Sequence, residues 1–189
     1  MRGPGQRAGL TRATVLVGAR ELLATGGVAA LSMRALARHL DVTPNALYSH
    51  VSGKDGLLDD LLDDLLAGVV VPAADVVDPL VGLSQVMTST WRVLTAAPDL
   101  VPLYLVRQGA RGDNAVRLGV VMDGLLARVG LRGRAAEQAR TVLIVHTIGA
   151  AAFATAGGLT SAQARRTFAS SLRWLLAGIA AEVAGGPTR

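Results

Sequence analysis

The sequence predicts an all-α fold of about nine helices, a small N-terminal part followed by a larger C-terminal one, on three observations. Apolar residues make up 51% of the chain but aromatics only 3%, so the core is built from Leu, Val and Ala, which suit closely packed helices better than a sheet. Apolar residues recur at three- and four-residue spacing, with Gly and Pro as punctuation, and no segment reads convincingly as a strand. Charge is also uneven: residues 1–56 carry seven basic groups against three acidic ones, and the remainder twelve against eleven. A basic module on a near-neutral body points to a polyanionic partner for the first part. The 189 residues suffice for a sizeable core, and 17% charged residues argue against disorder.

The first helix is expected over 11–25, with Leu16, Ala19 and Leu23 on one face and Gly26 and Gly27 ending it. Ser32 is placed to cap a second helix, 33–40, that turns Leu36, Ala37 and Leu40 inward. Asp41 and Val42 then make a tight turn in which Asp41 tolerates a left-handed backbone. Thr43 caps a third helix, 44–51, with Pro44 at its first position, where a missing N–H costs nothing. Ser52 and Asp55 bracket a capping box ahead of a fourth helix carrying Leu57, Leu58, Leu61, Leu62, Leu65 and Leu66. Residues 69–79, with Pro72 and Pro79, read as an irregular connection. Longer helices follow at 80–96, 98–107, 114–129, 134–156 and 161–184, the last two closed by pairs of glycines.

Several function classes fall away. With no cysteine, disulfide frameworks and thiolate metal sites are excluded, and the cytoplasm is the expected compartment. The first ten residues lack the apolar segment of a signal peptide. Residues 141–164 carry no charge, but the run is Ala-rich and includes His146, Thr147, Gly157, Gly158, Thr160, Ser161 and Gln163, so a buried helix is expected rather than a membrane span. Asp59, Asp60, Asp63 and Asp64 form two i,i+4 pairs and read as a solvated face rather than a metal site. There is no phosphate loop or nucleophile elbow, and His39, His50 and His146 lie too far apart for a local metal motif. Neither enzyme activity nor a cofactor is expected.

The strongest motif spans 32–51: a capped helix, a tight turn and a second capped helix, which is helix-turn-helix spacing. On the second of these, Leu47 and Val51 are four apart and can pack inward. Thr43, Asn45, Ala46, Ser49 and His50 point elsewhere, with Tyr48 at the border. Hydroxyls, an amide, an imidazole and a methyl are groups that bond base edges and phosphates or touch a thymine methyl. Lys54, the only lysine in the chain, follows at a helix start, a position suited to a phosphate.

The segment from Leu10 to Leu66, above all TPNALYSHVSGKDGLL (43–58) with SMRALARHL (32–40), resembles the tetracycline-repressor (TetR) family, with Val51 where many members have Phe. The resemblance implies a DNA-binding domain over 1–54, including a basic N-terminal arm, and a helical effector-binding and dimerisation domain over 55–189. It implies that Arg34 contacts DNA from the second helix, that Pro44, Asn45 and Ala46 face the bases, and that Tyr48, His50 and Lys54 hold phosphates. The arm either frays or follows the DNA. In this family the last two long helices usually form a four-helix bundle with a second copy. Ala150 and Ala154, with Phe168, Leu172, Leu175, Leu176 and Ile179, are the corresponding interface candidates. The resemblance also sets a ligand pocket among the middle helices, with Met87, Trp91, Leu94, Tyr104, Gln108, Met122, Leu125 and His146 as candidate lining and a largely apolar effector expected. The implied function is a repressor released from a palindromic DNA operator by a small molecule. The rival reading is a helical dimeric adaptor whose helix-turn-helix is scaffold only.

Overall fold

The computed structural model describes residues 9–107 and 109–186. Among these, regular structure consists of nine α-helices and one 3-10 turn, with no strand. The chain divides into two compact units after Leu62.

In the first unit, α1 (Arg12–Ala30) starts at Thr11, which exchanges capping bonds with Thr14: Thr14 N donates to Thr11 Oγ1 at 3.1 Å, and Thr11 N to Thr14 Oγ1 at 2.9 Å. Its regular part ends where expected, because Gly26 (φ −150°) and Gly27 (φ 62°) leave helical geometry and only a short turn continues beyond them. Val15, Leu16, Ala19 and Leu23 form its buried stripe. Ser32 Oγ caps α2 (Met33–His39) by accepting from Ala35 N at 3.1 Å. The chain then reverses at Asp41 (φ 52°), the one non-glycine residue with positive φ among those described, and Val42 N closes the turn onto Ala37 O at 2.9 Å.

Helix α3 (Pro44–Leu47) is shorter than the sequence suggests. Beyond it, His50 N and Val51 N both bond Leu47 O, and Ser49 Oγ donates to Ala46 O at 2.7 Å. The three-residue bond of His50 and the Ser49 side-chain bond to the same turn tighten the chain out of regular α geometry. Thr43 occupies the N-cap position, but its hydroxyl makes no capping bond. Helix α4 (Lys54–Leu66) begins one residue later than expected. Gly53 (φ 95°), rather than Ser52, stands at the cap position, and Leu57 N bonds Gly53 O.

In the second unit, the connection after α4 is irregular up to Asp78, whose carboxylate accepts from Leu80 N at 2.8 Å and caps α5 (Pro79–Ala96). The single helix expected over 98–107 is divided into a 3-10 turn, Pro98–Leu100, and α6 (Val101–Val106). Pro102 has no N–H to return to Pro98, so the α ladder cannot run through this point. Next come α7 (Asp113–Val129), ended by Gly130 (φ 115°), then α8 (Gly133–Thr155) and α9 (Ser161–Gly185). The uncharged run is thus broken by a connection at 156–160. By length and composition alone, one described helix, α1, could cross a membrane. Helix α5 packs against α7 and α8, and α8 against α9. A Cβ on Gly82 would stand 2.8 Å from Leu125 Cδ2, so this glycine lets α5 and α7 approach closely.

The acidic face of α4 is not uniformly solvated. Asp60 pairs with Arg12 (2.7 Å). Asp63 is buried and accepts from Asn114 N (3.1 Å), Asn114 Nδ2 (3.1 Å) and Ala115 N (2.9 Å). It supplies the cap that α7 lacks from its own sequence, since Gly112 stands at that N-cap. The fit demands glycine there: a Cβ on Gly112 would lie 2.4 Å from Asp63 Cγ.

Candidate nucleic-acid interface and ligand cavity

The turn at Asp41 and the short α3 give this helix a buried underside, with Leu47 and Val51 sealed into the first unit. Every residue expected to meet DNA is accessible. Arg34, Thr43, Pro44, Asn45, Tyr48, Ser49 and Lys54 are exposed, and Ala46 and His50 are half-buried. Tyr48 is 55% exposed, unusual for an aromatic ring in so small a unit. Because Thr43 does not spend its hydroxyl on a cap, that group remains available to an external partner. Ser49 donates its proton to Ala46 O and keeps lone pairs that can accept. Lys54 Nζ lies 3.4 Å from Val28 O, a long contact that leaves its charge in solvent. The basic N-terminal arm, save for its last residues, lies outside the described residues.

The second unit holds a cavity of about 500 Å³ walled by α5, α6, α7 and α8. Three of the expected residues, Met87, Tyr104 and Met122, line it. Trp91, Leu94 and Leu125 are buried outside its lining, and Gln108 lies outside the described residues. His146 belongs to a separate groove between α8 and α9. There its Nε2 is 3.0 Å from Ser171 Oγ, and its ring stacks on Phe168, which in turn stacks on Trp91. Burial pushes its pKa below the ordinary 6.5. The Trp91 Nε1–H is buried without a partner among the described residues.

Sequence reasoning missed the polar part of the lining. Arg111 comes from the connection before α7, Asp123 from α7, and Arg140 and Thr147 from α8. Arg140 forms an ion pair with Asp123. The signal that could have found two of these was helical phase: Arg140, Ile144, Thr147 and Ile148 recur at i, i+4, i+7 and i+8 and share one face, whereas His146 falls on another. Tyr104 is held as the neutral phenol. Burial raises its pKa most, and the Asp63 carboxylate adds to the shift against a smaller opposing effect from the Ala110 backbone.

Four of the interface candidates on α9 need correction. Phe168, Leu172, Leu176 and Ile179 are each at most 8% exposed within the single chain, so they are committed to the unit's own core. Leu175, Ala150 and Ala154 are half-buried, and both alanines line the α8–α9 groove. The large apolar side chains that these helices do expose are Val142, Ile144, Val145, Phe153 and Trp174.

A helix-turn-helix unit followed by a helical unit with its own cavity defines a recognisable class, the two-part bacterial regulators. Residues 15–61 match the bacterial regulatory proteins of the tetR family. A curated relative, an HTH-type transcriptional regulator of Saccharopolyspora erythraea, is 36% identical over 126 residues, which is 67% of this chain and 52% of the relative. The chain therefore spans about half the length of that relative. The Streptomyces coelicolor TetR family protein ActR, solved in complex with (S)-DNPA, superposes with a TM-score of 0.79 at 25% identity, covering 93% of this chain and 100% of that one. A TetR variant from Acinetobacter baumannii AYE, solved with minocycline, gives 0.77 at 25% identity over 90% and 96% of the two chains. The first unit thus carries a tetR-family domain, and the described chain shares the fold of solved TetR family proteins.

Proposed function

We propose that this protein is a cytoplasmic, sequence-specific DNA-binding repressor. It acts as a homodimer on a palindromic operator and is released from it by a small, largely apolar effector. The observation that carries the reading is the division of α3 and its flanks into a sealed underside, Leu47 and Val51, and an outer set of hydrogen-bonding side chains on the first unit. Pro44, Asn45 and Ala46 meet base edges, Tyr48, Ser49, His50 and Lys54 meet phosphates, and Arg34 and Thr43 support them. The second unit's cavity has the size of a small-molecule site, and two relatives were solved with small molecules bound. Two copies joined through α8 and α9 would present two recognition helices about 34 Å apart.

Release works by population shift: an effector that prefers the arrangement mis-spaced for DNA weakens operator binding, with a typical coupling of about 1–3 kcal/mol. The test is selection of bound sequences from a random duplex pool at about 150 mM salt, where non-specific binding is weak. An enriched palindrome supports the reading. A folded protein that enriches nothing overturns it in favour of a protein-binding adaptor.

A further inference from the structure

The chemistry of the cavity wall narrows the class of effector. Apart from the Tyr104 phenol, the hydroxyls facing the interior are already spent. Thr147 Oγ1 donates to Leu143 O at 2.8 Å and lies 3.4 Å from Met87 Sδ, and Thr90 Oγ1 donates to Val86 O at 2.9 Å. The body of a ligand therefore meets a wall of apolar surface and soft sulfur, supplied by Met87, Met122, Leu118 and Ile148. Charge is confined to three lining side chains, two arginines and one aspartate. Asp123 and Arg140 neutralise each other as an ion pair. Arg111, exposed, has no ionic or hydrogen-bond partner among the described residues. The first-turn N–H groups of α7, which could otherwise hold an anion, are occupied by the buried Asp63 carboxylate. The cavity is thus left with one unmatched positive charge.

We propose that the effector is an amphiphilic acid. Its apolar body fills the cavity, and its anionic head, a carboxylate or chemical equivalent, is held by the guanidinium of Arg111. The planar fork of an arginine matches a carboxylate with two parallel hydrogen bonds. A cationic amphiphile of the same shape meets like charge there, and a neutral one leaves the guanidinium in water. This inference rests on the reading of the cavity as the effector site.

Three molecules with the same ten-carbon chain separate the possibilities: decanoate, decanol and decylammonium, titrated calorimetrically below their solubility limits. The unaltered protein is compared with Arg111→Gln and with Gly119→Leu. Gly119 lines the cavity, and a Cβ there would meet only Arg140 Nη1, at 3.9 Å, so a leucine can enter the space without disturbing the helix. Circular dichroism checks that each variant is folded. The expected order is decanoate first and decylammonium last. The acid should lead the alcohol by roughly fivefold, the upper end for a solvent-exposed ion pair. Arg111→Gln should abolish that lead while decanol binding persists, and Gly119→Leu should weaken all three. If acid and alcohol bind equally and both are lost in Gly119→Leu, the cavity stands as a ligand site but the acid preference is wrong. If Gly119→Leu changes nothing, or no probe binds at all, the effector-site reading fails and the acid preference fails with it.

Discussion

Asp63 shows how much one side chain can carry. A carboxylate on α4 serves as the missing cap of a helix that begins fifty residues later, and it takes two backbone N–H groups and a side-chain amide. Removing it strands buried donors, so Asp63→Ala should lower the unfolding free energy by about 2 kcal/mol in urea titrations. Tyr48, by contrast, is solvent-exposed and packs little. Tyr48→Ala should leave the melting temperature unchanged while weakening operator binding roughly fivefold, the loss of about one hydrogen bond. Equal affinity of the two proteins would remove Tyr48 from the DNA contacts. His146 sets a pH dependence. Its pKa is lowered by burial in the fold, so below the ordinary 6.5 the unfolded chain binds the extra proton more readily, and stability falls as pH falls through that region. The melting temperature should fall with acid across this range in the native protein, and fall less in His146→Gln.

At the scale of elements, the sequence was legible at several caps and breakers that carry their own mechanism, though the caps expected of Thr43 and Ser52 do not form. Ser32 and Asp41 mark boundaries that the structure keeps to within a residue. The two glycines that end the regular part of α1 are another such signal. Gly27 sits at φ 62°, ψ −165°, so Gly27→Ala should cost about 1–3 kcal/mol by forcing a Cβ into a backbone region nearly closed to it. Thermal unfolding of the variant would measure it. The misses share a cause. The division of 98–107 depends on a single missing N–H at Pro102, and the shortening of α3 on Ser49 preferring a carbonyl, choices that periodicity does not register. The cavity was only partly legible for the same reason. The resemblance set Met87, Met122, Trp91, Leu94 and Leu125 among the pocket candidates, but not which of them face open space. The connection that brings Arg111 has no periodicity at all. The recognition surface was easier, because it follows from Leu47 and Val51 being sealed on the opposite side.

For the whole molecule, the exposed apolar side chains are more informative than the buried ones. Phe153 on α8 is 65% exposed and Trp174 on α9 is 69% exposed. Large aromatic rings left open to water mark contact surfaces. Phe153→Glu and Trp174→Glu should therefore yield monomers in sedimentation experiments, whereas Leu172→Glu should unfold the protein instead, since Leu172 is buried within the chain. A dimer that survives both aromatic substitutions would move the interface off these helices. On the proposed reading dimerisation and DNA recognition are linked, because two half-sites one turn apart need two copies held at fixed spacing.

The cap that Asp63 places on α7 also has a consequence for measurement. The amide protons of Asn114 and Ala115 are shielded by a carboxylate from a different helix, not by the turn they belong to. Their exchange with deuterated solvent is therefore governed by how often the end of α4 withdraws, and hardly at all by fraying of α7 itself. These two protons act as a clock set into the wall of the cavity, since Ala115 is itself part of that wall. A ligand that settles beside them, or an operator that holds α4 still, would be recorded in their exchange rate without any label being added to the protein.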